Sequence, residues 1–300
     1  YNNQSRIINC LNSIYYNSDK RVTVTLLNDG CPNTDADFFL NLSKNYKKIK
    51  IYHQNNKGVS NARNNLLKKT SSKYIWFVDS DDEIIPSGLL KCLWWLENRS
   101  PDTITFYFLS KKGIKVTKTN WLLKFGNFFS ASYDNCPSYW FNYGGAYRHI
   151  FSRKIIEEKK ILFDETLFLG EDALFVASYL QSVRKGLVFK DHFYIQDQTS
   201  LGSLSRPLKE NYLSSFCNEM KSHKQILAQL KNYKFQKLLF IAQLYRYRSV
   251  KYNKLISKNK LSYELLSSIH NDMDYKFKKS QYDQFILQRF PEMKIYLNDN

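Results

Sequence analysis

Three hundred residues, 43% of them hydrophobic, can bury the core of one sizeable domain and still leave an extension. Five cysteines, odd in number and without CxxC spacing, give no disulfide framework or zinc site and read as reduced thiols. A formal net charge of +18 would suit nucleic acid, yet no zinc-finger or RNP-type signature accompanies it, and neither a signal peptide nor a bilayer-length apolar run is visible.

In chain order, residues 5–15 place Ile7, Ile8, Leu11 and Ile14 at helical spacing. Residues 21–27 read as a strand ending in the polar turn Asn28-Asp29-Gly30, and 35–45 as a helix. A second strand at 49–53 leads into a Gly58-containing loop, and Ser60 is the expected N-cap of a helix over 60–69. Residues 74–78 are an apolar run, expected as a buried parallel strand, that breaks into Asp79-Ser80-Asp81-Asp82. Alternating strands and helices imply parallel pairing, and open α/β sheets bind ligands beyond the carboxyl ends of their strands. Carboxylates two residues apart at such an end can share a divalent cation with a nucleotide diphosphate; a polar turn capping the next helix is the other reading. Asp82 in particular is expected to cap the helix beginning after Pro86.

Further on, residues 139–147 are dense in aromatics and glycine, suited to a sugar-stacking wall or to core. A helix over 172–183 follows Gly170-Glu171, and His192 sits in a strand-like stretch as a surface or hydrogen-bonding residue or as a metal ligand. Residues 207–300 read as helical and carry 17 Lys and Arg against 8 Asp and Glu. Arg246, Arg248, Lys251 and Lys254 alternate there with aromatics. Two readings stay open for this tail: helices packed on the rest of the chain with their charges solvated, or attraction to an anionic membrane surface.

Four ordered pieces carry a resemblance: Tyr1-Asn2 followed by Cys10-Leu11-Asn12-Ser13-Ile14; Asn28-Asp29-Gly30; Gly58-Val59-Ser60-Asn61-Ala62-Arg63-Asn64; and Asp79-Ser80-Asp81-Asp82. In this order and spacing they resemble the family 2 glycosyltransferases of the GT-A fold. The likeness continues through Phe163-Asp164-Glu165, Gly170-Glu171-Asp172-Ala173-Leu174-Phe175 and Phe193-Tyr194-Ile195 with Ser203, so it covers residues 1–206. It departs at Cys31, where the family usually has Ser, and it begins inside the first motif, so the family's first strand is expected to be missing from this chain. The fold implied is α/β, a mixed and mostly parallel sheet flanked by helices. A nucleotide-sugar half (1–100), an acceptor half (101–206) and a basic helical extension (207–300) are expected.

The resemblance also implies roles. Asp81 would ligate a divalent metal, Mn²⁺ or Mg²⁺, and Asp79 would hold the metal, the ribose hydroxyls or both, beside Ser80. Tyr1 would stack on the uracil ring, Asn2 would be a further contact to the nucleotide-sugar, Asp29 would accept a hydrogen bond from the ring, and Gly58 would let the loop pass close to the nucleotide. Arg63 would reach the base or phosphates, unless it forms an ion pair outside its helix. Asp172 would be the general base, with Glu171 as substitute. The activity implied is inverting, metal-dependent transfer from a nucleotide-sugar, a UDP-sugar in particular, to a growing or lipid-linked bacterial surface glycan such as a capsule, lipooligosaccharide or O-antigen. Such an enzyme would be cytoplasmic, with the inner membrane face as a further partner and no nucleic acid. A nucleotidyltransferase and a non-catalytic carbohydrate-binding relative are the alternatives.

Overall fold

The computed structural model describes residues 4–17, 19–31, 36–112, 115–118, 145–167 and 170–199, together with 225. The chain divides into two compact units, Tyr1–Ile226 and Leu227–Asn300. Tyr1, Asn2, Ser203, the aromatic stretch up to Gly144 and, apart from Gln225, the basic extension expected at 207–300 lie outside the described residues.

Helix α1 (Gln4–Tyr15) precedes strand β1 (Val24–Asp29), helix α2 (Ala36–Asn45), strand β2 (Ile49–Gln54) and helix α3 (Val59–Lys69). β1 and β2 pair in parallel with Val24 opposite Ile49 and Asp29 opposite Gln54, so both strands end at one edge. The apolar faces of α1 and α2 cover this pair, burying Leu11, Phe39 and Leu42 against Val24, Leu26, Ile49 and Ile51. Burying a residue of this type stabilises the fold by roughly 1.5–3 kcal/mol. β1 ends two residues later than expected and includes Asn28 and Asp29.

Strands β3 (Tyr74–Trp76) and β4 (Glu83–Ile84) flank the acidic turn, followed by helix α4 (Pro86–Arg99) and strand β5 (Thr103–Lys112). β6 (Lys115–Lys118), a short 3-10 turn at Ala146–Arg148, β7 (His149–Ser152), helices α5 (Arg153–Glu158) and α6 (Glu171–Leu180) and strand β8 (Gly186–Asp197) complete the order. The second sheet runs β3-β7-β5-β8-β4, with β6 on β5. It is mixed, as expected, but the parallel predominance is not seen. Of the described pairings only β1–β2 and β5–β8 are parallel, and the expected parallel strand at 74–78 is a three-residue β3 lying antiparallel to β7. Long β5 is buried over most of its length because it has strands on both sides.

Three other expectations are corrected. Gly58, not Ser60, is the N-cap of α3, and the Ser60 hydroxyl donates instead to Leu167 O at 3.4 Å. Asp82 does not cap α4: Ile85 is the N-cap and Pro86 opens the helix, where its missing N–H costs no hydrogen bond. α6 starts at Glu171 and ends at Leu180, earlier than the expected 183. Below α6 lies an aromatic core in which Phe77 meets Phe151, Phe163 and Phe175 edge to face at 5.2 to 5.9 Å. Such pairs add about 0.5–1.5 kcal/mol beyond area burial. They fix the strand end at Phe77 against the helix that begins at Glu171.

Candidate functional site

Arg63 is the centre of the site. It lies on the buried face of α3, its side chain 11% exposed, not on the outer face considered from the sequence. Nη2 donates to Asp79 Oδ1 at 3.0 Å, and Nη1 to Glu171 Oε1 at 3.1 Å and Asp172 Oδ1 at 2.5 Å. One guanidinium thus gathers the end of β3 and the first turn of α6. Burial works to lower the Arg63 proton affinity, but Asp172, Asp79 and Glu171 outweigh it, so the group stays charged. Three carboxylates on one cation leave an excess of negative charge.

Asp172 is pushed up to about 7, by burial first, against Arg63 and with the charges of Glu171 and Asp79 adding to the rise. Glu171 is also raised, by burial, with Arg63 opposing. The Asp172 Oδ2 atom has a long contact, Ala146 N at 3.4 Å, and therefore the capacity to take a proton. The Asp79 side chain is 39% exposed. Asp81, half-buried in the turn next to exposed Ser80, accepts no hydrogen bond or ion pair among the described residues.

Asp82 has a separate task. It is 2% exposed, accepts the Tyr194 hydroxyl at 2.7 Å and Asp197 N at 2.7 Å, and is pushed up to about 8 by burial and by Asp79. Tyr194 OH in turn accepts Asp79 N at 3.1 Å, and its ring stacks on Tyr147 at 4.8 Å. The acidic turn is therefore bolted to β8. Tyr194→Phe keeps the ring but leaves Asp82 Oδ2 without this donor. A loss of about 1–3 kcal/mol in stability is expected, read as a lower denaturant midpoint. From sequence Tyr147 stands only within the 139–147 stretch read as sugar-stacking wall or core, and Tyr194 is quoted without a task of its own; for Tyr194 the available signal is a tyrosine in a buried strand, which must find a partner for its hydroxyl.

Asp29 and Gly58 meet at the other strand ends. Asp29 Oδ1 accepts Gln54 Nε2 at 2.8 Å and Lys57 N at 2.9 Å, and Oδ2 accepts Gly58 N at 3.0 Å. Gly58 holds φ +86° with no protein atom within 4 Å of where a Cβ would lie, so the backbone angle by itself already calls for glycine. Gly30, at φ +66°, is crowded as well: a Cβ there would lie 2.5 Å from Asn56 N. The β1 turn and the β2–α3 loop are thus pressed together around Asp29.

Among the described residues no three His, Cys, Asp or Glu side chains are arranged to hold a divalent cation by themselves. Asp81 and the free oxygen of Asp79 supply two hard ligands, the number Mg²⁺ or Mn²⁺ takes when phosphate and water complete its shell. The residues fit such an ion. His192 lies in β8 with its ring on Tyr107 at 5.6 Å and belongs to no three-ligand cluster among the described residues.

An α/β domain that collects its acids behind the ends of β1, β3 and the start of α6 is of the GT-A class. The chain belongs to glycosyl transferase family 2, whose sequence model matches residues 1–158. It is 24% identical over 203 residues to the uncharacterized glycosyltransferase EpsJ of Bacillus subtilis, covering 65% of this chain and 58% of EpsJ. It is 26% identical to the poly(ribitol-phosphate) beta-N-acetylglucosaminyltransferase TarP of Staphylococcus aureus, covering 65% of this chain and 59% of TarP. The chain thus spans little more than half the length of these curated relatives. In fold it is similar to S. aureus TarS 1–349 solved in complex with UDP-GlcNAc, with TM-score 0.68 and 18% identity over 83% of this chain and 71% of the solved TarS 1–349 chain.

Proposed function

We propose that this chain transfers a sugar from a UDP-sugar to a hydroxyl of a bacterial surface glycan, with a divalent metal and with inversion at the anomeric carbon. The observation that carries the reading is the contrast within the site: Asp79 and Asp172 are tied to Arg63, while Asp81 beside them has no hydrogen-bond partner among the described residues. Asp81 and Asp79 would hold the metal, which supplies Lewis-acid neutralisation of the departing diphosphate. Asp172 takes the proton of the acceptor hydroxyl at Oδ2 as that oxygen bonds to the anomeric carbon. The carbon–oxygen bond to the diphosphate breaks, and its electron pair leaves with the phosphate. With one base and no second carboxylate nucleophile implied, the transfer is a single displacement, hence inversion. The UDP-GlcNAc bound to TarS and the N-acetylglucosaminyltransferase activity in TarP's name support a donor of this kind. We assign the chain to the cytoplasm, with the excess of 17 basic over 8 acidic residues in 207–300 drawing it to the inner membrane face; Tyr1 and Asn2 remain our candidates for nucleotide-sugar contacts, Tyr1 by stacking on the uracil ring.

Asp29 supports a uridine nucleotide. Three N–H groups occupy three of about four acceptor positions on its carboxylate. One position remains, which suits the single N3–H of uracil and repels cytosine, whose N3 is itself an acceptor. UDP is expected to bind about tenfold or more tightly than CDP, the cost of one unmade buried hydrogen bond. Calorimetry with both nucleotides checks this, and equal affinities would remove Asp29 from the base pocket. The activity itself is tested by UDP or GDP release from a panel of nucleotide sugars with and without Mn²⁺. Release from UDP-sugars that needs the metal is the expected result; metal-independent release, or none, would sink the reading.

A further inference from the structure

Glu165 takes no part in the mechanism above, yet both of its oxygens are held by α3. Asn61 Nδ2 donates to Oε2 at 2.8 Å and Asn64 Nδ2 to Oε1 at 2.9 Å. These two bonds, Asn61 first, lower the proton affinity of this exposed carboxylate. Neither amide can turn away. Asn61 Oδ1 accepts both Gln54 Nε2 and Asn65 Nδ2 at 3.1 Å, so flipping it would set oxygen against oxygen on one side and NH₂ against NH₂ on the other. Asn64, 3% exposed, exchanges two hydrogen bonds with the Phe163 backbone, Nδ2 to O at 2.9 Å and N to Oδ1 at 2.9 Å.

Phe163 passes this constraint on. Its ring stacks on Phe175 at 4.0 Å and 4°, and the Arg63 guanidinium lies 5.3 Å from its centroid. Phe175 is three residues beyond Asp172 in α6, on the same face of the helix. One short turn therefore touches both the helix that presents Asp172 and the guanidinium that binds it.

We infer that Glu165 is a positioning residue for Asp172: gripped by Asn61 and Asn64, it fixes the turn whose Phe163 ring sets the placement of α6 and Arg63. The inference rests on the proposed transfer, in which Asp172 is the base. Glu165→Gln turns an NH₂ toward one of the two amide donors. With UDP-GlcNAc and Mn²⁺, kcat for UDP release is expected to fall about tenfold through misplacement of the base. KM for UDP-GlcNAc, the Kd of UDP and the melting temperature stay at the parent values, a split that a merely structural role would not produce. Asn61→Ala removes one of the two grips on Glu165 along with the bonds from Gln54 and Asn65, and should lower kcat too; the double variant should fall by less than the product of the two single effects because they share the Asn61–Glu165 contact.

A parent-like kcat in Glu165→Gln, or UDP affinity falling in step with kcat, overturns the inference. Should that variant fail to fold, Asn61→Ala decides on the same two readouts. Should the parent release no UDP, the transferase reading is what has failed, and hydrogen exchange of the amides in 170–176 decides the positioning. Faster exchange there in Glu165→Gln supports it, and unchanged exchange overturns it.

Discussion

Asp81→Asn is expected to lower turnover by a factor of about 10³ or more, since metal-centred stabilisation of the leaving group supplies several kcal/mol and each 1.4 kcal/mol is tenfold. The variant preserves size and removes charge, and Asp81 makes no hydrogen bond among the described residues that its loss would break. Folding should therefore be untouched while metal affinity falls. Titration of Mn²⁺ against both proteins with bound UDP, alongside the rate of UDP release, separates the two effects. Activity within tenfold of the parent at saturating Mn²⁺ would show that Asp81 does not hold the metal. Asp79 behaves differently under the same change, because its Oδ1 also anchors Arg63; Asp79→Asn should cost stability as well as rate.

How far this site can be read from sequence differs from element to element. The helical spacing of Ile7, Ile8, Leu11 and Ile14 and the strand-like stretch at 49–53 are local signals, and α1 and β2 form where those signals lie. The direction of β3 is not local. Its apolar run is satisfied by any buried partner, and the partner it finds, β7, begins more than seventy residues later and runs antiparallel. Capping preferences failed for a related reason. Ser60 and Asp82 are residue types that favour helix starts, but each finds a stronger claim elsewhere, Leu167 O for Ser60 and Tyr194 with Asp197 for Asp82. Arg63 shows the same limit. The motif placed it on a helix, but only the fold brings Glu171 and Asp172, 108 and 109 positions away, onto its guanidinium. Glu165 appeared in a quoted motif without a task, because the amides that grip it sit about 100 residues upstream.

Asp172→Asn is expected to reduce sugar transfer by about 10² to 10⁴, the usual worth of a general base, while UDP affinity stays near that of the parent. Binding and chemistry should separate because Asp172 faces the reaction through Oδ2, and the carboxamide can still accept the Arg63 hydrogen bond through its oxygen. The pH dependence adds a second signature. A base works deprotonated, and burial pushes Asp172 up to about 7, so kcat/KM of the parent should rise with pH through about 7 and level off above it. Asp172→Asn should lose this limb along with the rate. Glu171 contributes a negative charge that raises Asp172, so Glu171→Gln should move the limb to lower pH instead of abolishing it. The two carboxylates share one guanidinium, and the limb belongs to the pair until these variants divide it. If Asp172→Asn weakened UDP binding as much as transfer, the residue would be part of the donor site. If the limb instead vanished with Glu171→Gln and survived in Asp172→Asn, the proton would go to Glu171, and the roles of the two neighbours at the start of α6 would be exchanged.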